Sequence, residues 1–251
     1  MPGPWRALPV AHAAGFLSHL GPLLAQASGH PQVLAPGQGN GGTLRAMPLS
    51  FYPGWALIEG EAALAPDTIG TFDVLYGPGL MWLIDGDARV LNDLNGGRLP
   101  LDIEGYRERS RIDGPFMPSP LGPFDTVRSG PDFLRFFCAS VWGDEGPFML
   151  VESADSPVLR GVDARNLDWA GEIAPLAVYL DGSDLVGEGL VAYGRSLYRA
   201  RLRVRDGRVG MEDDTPVAAD ALPERRNRSP LRDLRATGNG DSRIIAGGND
   251  R

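Results

Sequence analysis

The sequence predicts an α+β fold that is mainly antiparallel β, made of hairpins and a C-terminal β-meander, with one short N-terminal helix. Three observations lead there. Glycine (34) and proline (22) together exceed a fifth of the 251 residues, against roughly 12% in average usage, which favours short elements joined by tight turns. Short runs rich in alternating, β-branched and aromatic residues recur over 55–103 and 173–212, separated by Gly-Pro, Asp-Gly and Asn-Gly pairs. No βαβ rhythm appears. With 43% hydrophobic and 22% charged residues, the chain has the composition of a globular protein, and its length allows one large domain or two small ones.

Residues 1–29 admit two readings. Arg6 precedes an apolar stretch from Ala7 to Ala25, and Ala25-Gln26-Ala27 before Ser28 resembles a cleavage site, so residues 1–27 could export the chain. His12, Ser18, His19 and Pro22 interrupt that run. The preferred reading is therefore a cytoplasmic protein with an amphipathic helix over 11–20, its Phe16, Leu17 and Leu20 on one face and Gly21-Pro22 its stop. No stretch reaches the roughly 18–20 apolar residues of a membrane span. Residues 30–42, HPQVLAPGQGNGG, form a linker. Gly37, Gly39 and Gly42, with Glu59 downstream, have dinucleotide-fingerprint spacing, but Pro36 before them and Pro48 after them remove the strand and helix that motif requires. No cofactor is expected.

Residues 43–223 are expected to be a single β-rich domain. Strands are expected over 55–59, 71–77, 80–85, 88–91 and 98–103, with Asp85-Gly86 and Asn95-Gly96-Gly97 as reversals. Residues 104–130 contain no clear period and read as a long surface loop. The segment 131–142, PDFLRFFCASVW, is the most apolar; its aromatic content and the turn at 143–146 favour a buried strand pair with 147–152, a short helix being the alternative. Strands over 173–180, 184–194, 196–205 and 208–212, turning at Asp181-Gly182 and Asp206-Gly207, make the meander. Residues 224–251 carry 7 arginines against 4 acids, lack an apolar period, and read as a disordered Arg/Gly-rich tail.

Composition narrows the chemistry. Lysine is absent, so all 24 basic residues are arginine, which removes mechanisms that need an amine and fits a GC-biased bacterial genome. The lone Cys138 lies among Phe136, Phe137, Ala139 and Val141 and reads as a core residue. Histidine is confined to His12, His19 and His30, so a triad with Ser18 or Ser140 has little support, and no metal site is expected. Residues 1–223 hold 17 arginines against 28 acids, which argues against specific nucleic-acid binding by the body. The acidic clusters Asp85/Asp87 and Asp144/Glu145 read as turns, and Glu212/Asp213/Asp214 as a strand end. Tyr52, Trp55, Tyr76, Trp82 and Trp142 read as core aromatics.

One constellation points outward. In 196–205, Tyr198, Ala200, Leu202 and Val204 share one face by alternation, and Arg199, Arg201, Arg203 and Arg205 share the other. Such a row could bind a small anionic ligand or an acidic partner protein through bidentate hydrogen bonds; the favoured reading of the row itself is that it pairs with Asp184, Glu188, Glu212 or Asp213 across the sheet. The functional expectation is a non-enzymatic binding or accessory protein, with these four arginines as its ligand-binding residues. The alternative is a hydrolase or isomerase using Asp/Glu acid–base chemistry near loop 104–130.

Overall fold

The computed structural model describes residues 5–28, 44–65, 68–77, 80–84, 86, 88–95, 126–162, 167–223 and 235–236. In the first sheet β2 (Leu44–Pro48), β3 (Ala56–Ala65) and β4 (Thr68–Gly77) run antiparallel; β1 (Arg6–Ala7) adds to β2, and β5 (Leu80–Leu83) and β13 (Arg235–Ala236) to β4. Alternation sends Leu57 and Leu75 to the inner face and Ile58, Phe72 and Val74 to the outer one. Helix α1 (Val10–Ser28) covers the outer face with Ala13, Leu17 and Leu20. It does not stop at Gly21-Pro22, as the sequence suggested. Pro22 removes one N–H from the helical ladder, a cost of about 3 kcal/mol, yet the helix continues to Ser28.

The second sheet is the expected meander, in the order β12 (Arg208–Ala218), β11 (Ser196–Arg205), β10 (Asp184–Tyr193) and β8 (Met149–Leu150), with β9 (Ala177–Asp181) also paired to β10. A separate hairpin, β6 (Trp142–Gly143) with β7 (Gly146–Pro147), flanks the turn at 144–145. Strand β12 runs past Glu212, where the sequence placed its end, because Asp213 pairs in register with Arg201 and Thr215 with Arg199.

Two expected strands are helices. Residues 88–91 belong to α2 (Ala88–Asn95). Alternation would put Arg89 and Leu91 on one face, whereas helical spacing buries Leu91 and Leu94 with Ala88 packed beside them and leaves Arg89 exposed. The segment 131–142 falls largely within α3 (Thr126–Ser140). Phe133, Phe136, Phe137 and Val141 follow the i, i+3, i+4, i+8 period, and Leu134 and Cys138 widen the buried face. The sequence reading ranked this helix second to a strand because it is apolar on most of its circumference. Its side chains share one core with Met47, Leu57 and Leu75 of the first sheet and Leu185, Leu202, Val204 and Val209 of the second. Phe51 and Tyr52 meet Phe133 and Phe136 there at ring separations of 5.4–6.1 Å.

Of the segment read as a disordered tail, Arg235 and Ala236 pair with Ile69 and Thr68. The rest of 224–251, the 30–42 linker, the strand expected over 98–103 and residues 104–125 of the expected loop lie outside the described residues. Among the described residues, no helix is long and apolar enough to cross a membrane.

Close approach of α3 to β10 depends on Gly187, where a Cβ would overlap the Leu134 side chain. At Gly210 a Cβ would meet open space. Gly187→Ala should therefore lower the melting temperature by several degrees while Gly210→Ala leaves it nearly unchanged, as read by circular dichroism.

Arg135 ties α3 to the segment that follows β8. Its Nε and Nη2 donate to the two oxygens of Glu152 at 2.8 Å, and Glu152 Oε1 also accepts from the Leu176 amide at 3.0 Å. The Arg135 hydrogen bonds hold the Glu152 carboxyl below its ordinary range. A folded-state value below the unfolded one, about 4.3, stabilises fully above that pH, and the stabilisation is lost as pH falls through the folded value. Glu152→Gln should thus lower the melting temperature at neutral pH, and the gap to wild type should close on acidification. A gap that stays constant down to strongly acidic pH would contradict the linkage.

Candidate functional site

The outer face of the second sheet is split in two. At one end Leu190, Ala192 and Leu197 form a small apolar cluster with Val151, Val158, Leu159 and Leu222. At the other end lies the arginine row, and Ala200, Leu202 and Val204 turn inward as alternation requires. Tyr198 is half-buried.

Each guanidinium of the row meets carboxylates of the chain itself. Arg199 Nη2 donates to Glu172 Oε2 at 2.5 Å, at the border of the apolar cluster. Arg201 donates to Glu188 at 3.0 Å and Glu212 at 3.1 Å. Arg203 is the centre. Its Nε donates to Glu212, its Nη1 to Asp184 at 2.9 Å and its Nη2 to Asp181 at 2.8 Å. Only 13% of its side chain is exposed, and Val186, its partner in register on β10, is fully buried. Arg205 uses Nε and Nη2 on a single oxygen, Asp184 Oδ2, at 2.9 and 2.8 Å, and remains 66% exposed.

Electrostatics follow the geometry. Glu212, then Asp181 and Asp184, push the Arg203 guanidinium further above its ordinary range. Arg205 and then Arg203 hold Asp184 low, and Arg203 and then Arg201 hold Glu212 low. Three guanidiniums, Arg201, Arg203 and Arg205, thus share four carboxylates, Asp181, Asp184, Glu188 and Glu212. An anion at the centre of the row would have to displace bonds already made.

The row opens into a cleft beyond Arg205. An open cleft of about 670 Å³ lies there, lined by Asn92, Arg203, Arg205, Arg208, Met211 and Glu212 among others. One wall is fixed by α2: the Asn92 side-chain amide accepts from the Val209 N–H at 2.9 Å and donates to its carbonyl at 3.3 Å, standing in for a neighbouring strand at the sheet edge.

The other sequence candidates stay apart. Cys138 is buried, and burial pushes its thiol up to about 12. Ser18 donates to the Gly15 carbonyl on α1, while Ser140 is buried at the end of α3. Tyr52, Trp55 and Trp82 are core residues, Trp142 is half-buried and Tyr76 is 46% exposed. Asp144 and Glu145 occupy an exposed turn; Asp85 and Asp87 lie outside the described residues. Among the described residues, no group of three or more His, Cys, Asp or Glu side chains is placed to hold a metal.

Sequence reasoning missed one feature. Glu59 and Asp73 are register partners on β3 and β4, 8% and 0% exposed, on the inner face of the first sheet. Arg45 on β2 stands opposite Glu59, donates to its Oε1 at 2.7 Å and lies 4.5 Å from the Trp5 ring centroid. Glu59 Oε2 is buried and makes no hydrogen bond among the described residues. The available signal was an acid closing or interrupting each apolar run, Glu59 at the end of WALIE and Asp73 within TFDVLYG. No protein-family model, curated protein or solved structure matches this chain.

The hierarchy within the row can be measured. Arg203→Gln, which leaves three carboxylates facing one another, should lower the melting temperature by several degrees at low salt, and Arg205→Gln should lower it far less. Added salt should narrow the Arg203→Gln deficit by screening those carboxylates. Equal deficits for the two variants would show that Arg203 is not the hub.

Proposed function

We propose that this chain is a non-enzymatic binding or accessory protein that engages an anionic group, on a partner protein or a small ligand, at the open end of its arginine face. One observation supports this most. The guanidiniums are held in place by the chain's own carboxylates, and the row ends in an open cleft beside Arg205, the most exposed of the four. Prior ordering matters because immobilising a long side chain on binding costs about 0.5–1.5 kcal/mol. Arg201 and Arg203 are read as the scaffold of this face and Arg205 as its contact point, with Arg199 anchoring the far end. The state of Cys138 agrees with a non-catalytic role, since a buried neutral thiol is a poor nucleophile.

The alternative, a hydrolase or isomerase with Asp/Glu chemistry, draws on Glu59 and Asp73, because facing carboxylates are a common acid–base apparatus. Neither lines the cleft, so a variant separates the readings. A fluorescent polyglutamate peptide should bind the full chain at low salt, dissociate steeply as ionic strength rises, bind Arg205→Gln more weakly, and bind Glu59→Gln unchanged. Absence of salt-dependent binding to the wild type would contradict the proposal, as would loss of binding in a folded Glu59→Gln variant.

A further inference from the structure

The two edges of the second sheet differ. Strand β12, at one edge, carries acids, a proline and two register shifts. Strand β9, beside β8 at the other, has none of these along Ala177-Val178-Tyr179-Leu180. Sheet edges are ordinarily blunted by such devices, because an unprotected row of N–H and C=O groups pairs with another strand. Tyr179 and Leu180 are also 38% and 48% exposed, consecutive large side chains on opposite faces of the strand. Among the described residues, no strand lies against the outer side of β9.

The β9–β10 turn fixes which groups face outward. Its loop is Gly182-Ser183, with Gly182 at φ 65°, so Asp181 and Asp184 close the hairpin as a hydrogen-bonded pair. By alternation Ala177 and Tyr179 bond to β10, and Val178 and Leu180 aim their N–H and C=O groups away from it. The Val151 N–H, which donates to the Leu190 carbonyl at 2.9 Å, follows the same alternation along β10. We propose that this edge pairs antiparallel with β9 of a second copy of the chain, about a twofold axis at Tyr179. In that register Val178 exchanges a pair of hydrogen bonds with Leu180 of the second copy, twice over by symmetry. Asp181 then stands opposite Ala177 rather than another acid, and its charge is already met by Arg203. Neighbouring registers are poorer. Pairing Val178 with Val178 sets Leu180 against Leu176, whose N–H is spent on Glu152, and pairing Leu180 with Leu180 sets Val178 against the turn residue Gly182. The strand is thus complementary to itself, which favours a second copy over a foreign strand. This contact lies at the opposite edge from the cleft and does not depend on it.

Sedimentation velocity of the full chain across a wide concentration range tests the pairing. A strand edge of this length is small beside the roughly 800 Å² a side of a standard interface, so a reversible, concentration-dependent dimer is expected. Tyr179→Lys and Tyr179→Glu each set like charges opposite one another at the axis and should weaken the dimer severalfold. An equimolar mixture of the two variants, with opposite charges facing, should recover it. Misfolding cannot produce that recovery. Val10→Lys, at an exposed residue of α1, should leave the dimer unchanged. Tyr179 variants that dimerise like the wild type, a mixture no stronger than its components, or equal weakening in Val10→Lys would overturn the proposal. So would a chain monomeric at every concentration, which includes the case in which β9 accepts only a foreign strand.

Discussion

Charge compensation along β11 is the constraint on which the outer face of the second sheet depends. Side chains two residues apart on one face of a strand lie about 7 Å from each other, so four arginines in a row repel unless acids stand between them. Asp181 and Asp184 come from the turn joining β9 to β10, Glu188 from mid-strand and Glu212 from a register shift of β12 between Arg201 and Leu202. That irregularity brings a carboxylate to Arg201 and Arg203 together. Because Arg203 is nearly enclosed, its ion pairs are screened less than ordinary surface pairs, whose worth is small. Glu212, with Asp213, Asp214, Pro216 and two register shifts, also blunts β12 as an edge strand against pairing with another chain.

The inner face of that sheet is set by α3. Its side chains belong to the core that both sheets share, so α3 and α2 together tie the second sheet, and with it the arginine row, to the first. Gly187 and Gly189 in β10 permit Leu134 and Leu176 to sit close. Arg135 and Glu152 fasten the helix on its wetter side, while α2 reaches the edge of β12 through Asn92 and the 49–55 turn region through the buried Tyr52–Asn95 hydrogen bond. The cleft wall is thus continuous with the core.

Strict alternation made β11 legible in the sequence, down to its bounds and the orientation of its arginines, and the Asp-Gly turn was readable because few residue pairs tolerate two positive φ values. The helices were harder. In α3 two packing partners leave almost no polar stripe to mark a 3.6-residue period, and in α2 a four-residue window, ARVL, fits a strand as well as a turn of helix. Strand β2 was missed because Pro48 ends it and the glycine-rich segment precedes it. The pairing of Glu59 with Asp73 depends on the register of two strands, which no single-strand pattern contains. The cleft depends likewise on where α2 meets β12, a contact across 117 residues of sequence.

The central claim is that the row is internally satisfied at Arg203 and open at Arg205. Nuclear magnetic resonance of the arginine side chains, resolving proton exchange and rotation about the Nε–Cζ bond for each guanidinium, tests it most directly. Arg203 should rotate and exchange slowest of the row, and Arg205 should rotate less freely about Nε–Cζ than a solvated arginine yet exchange its Nη1 protons rapidly. Arg203 rotating and exchanging as fast as Arg205 would contradict the claim.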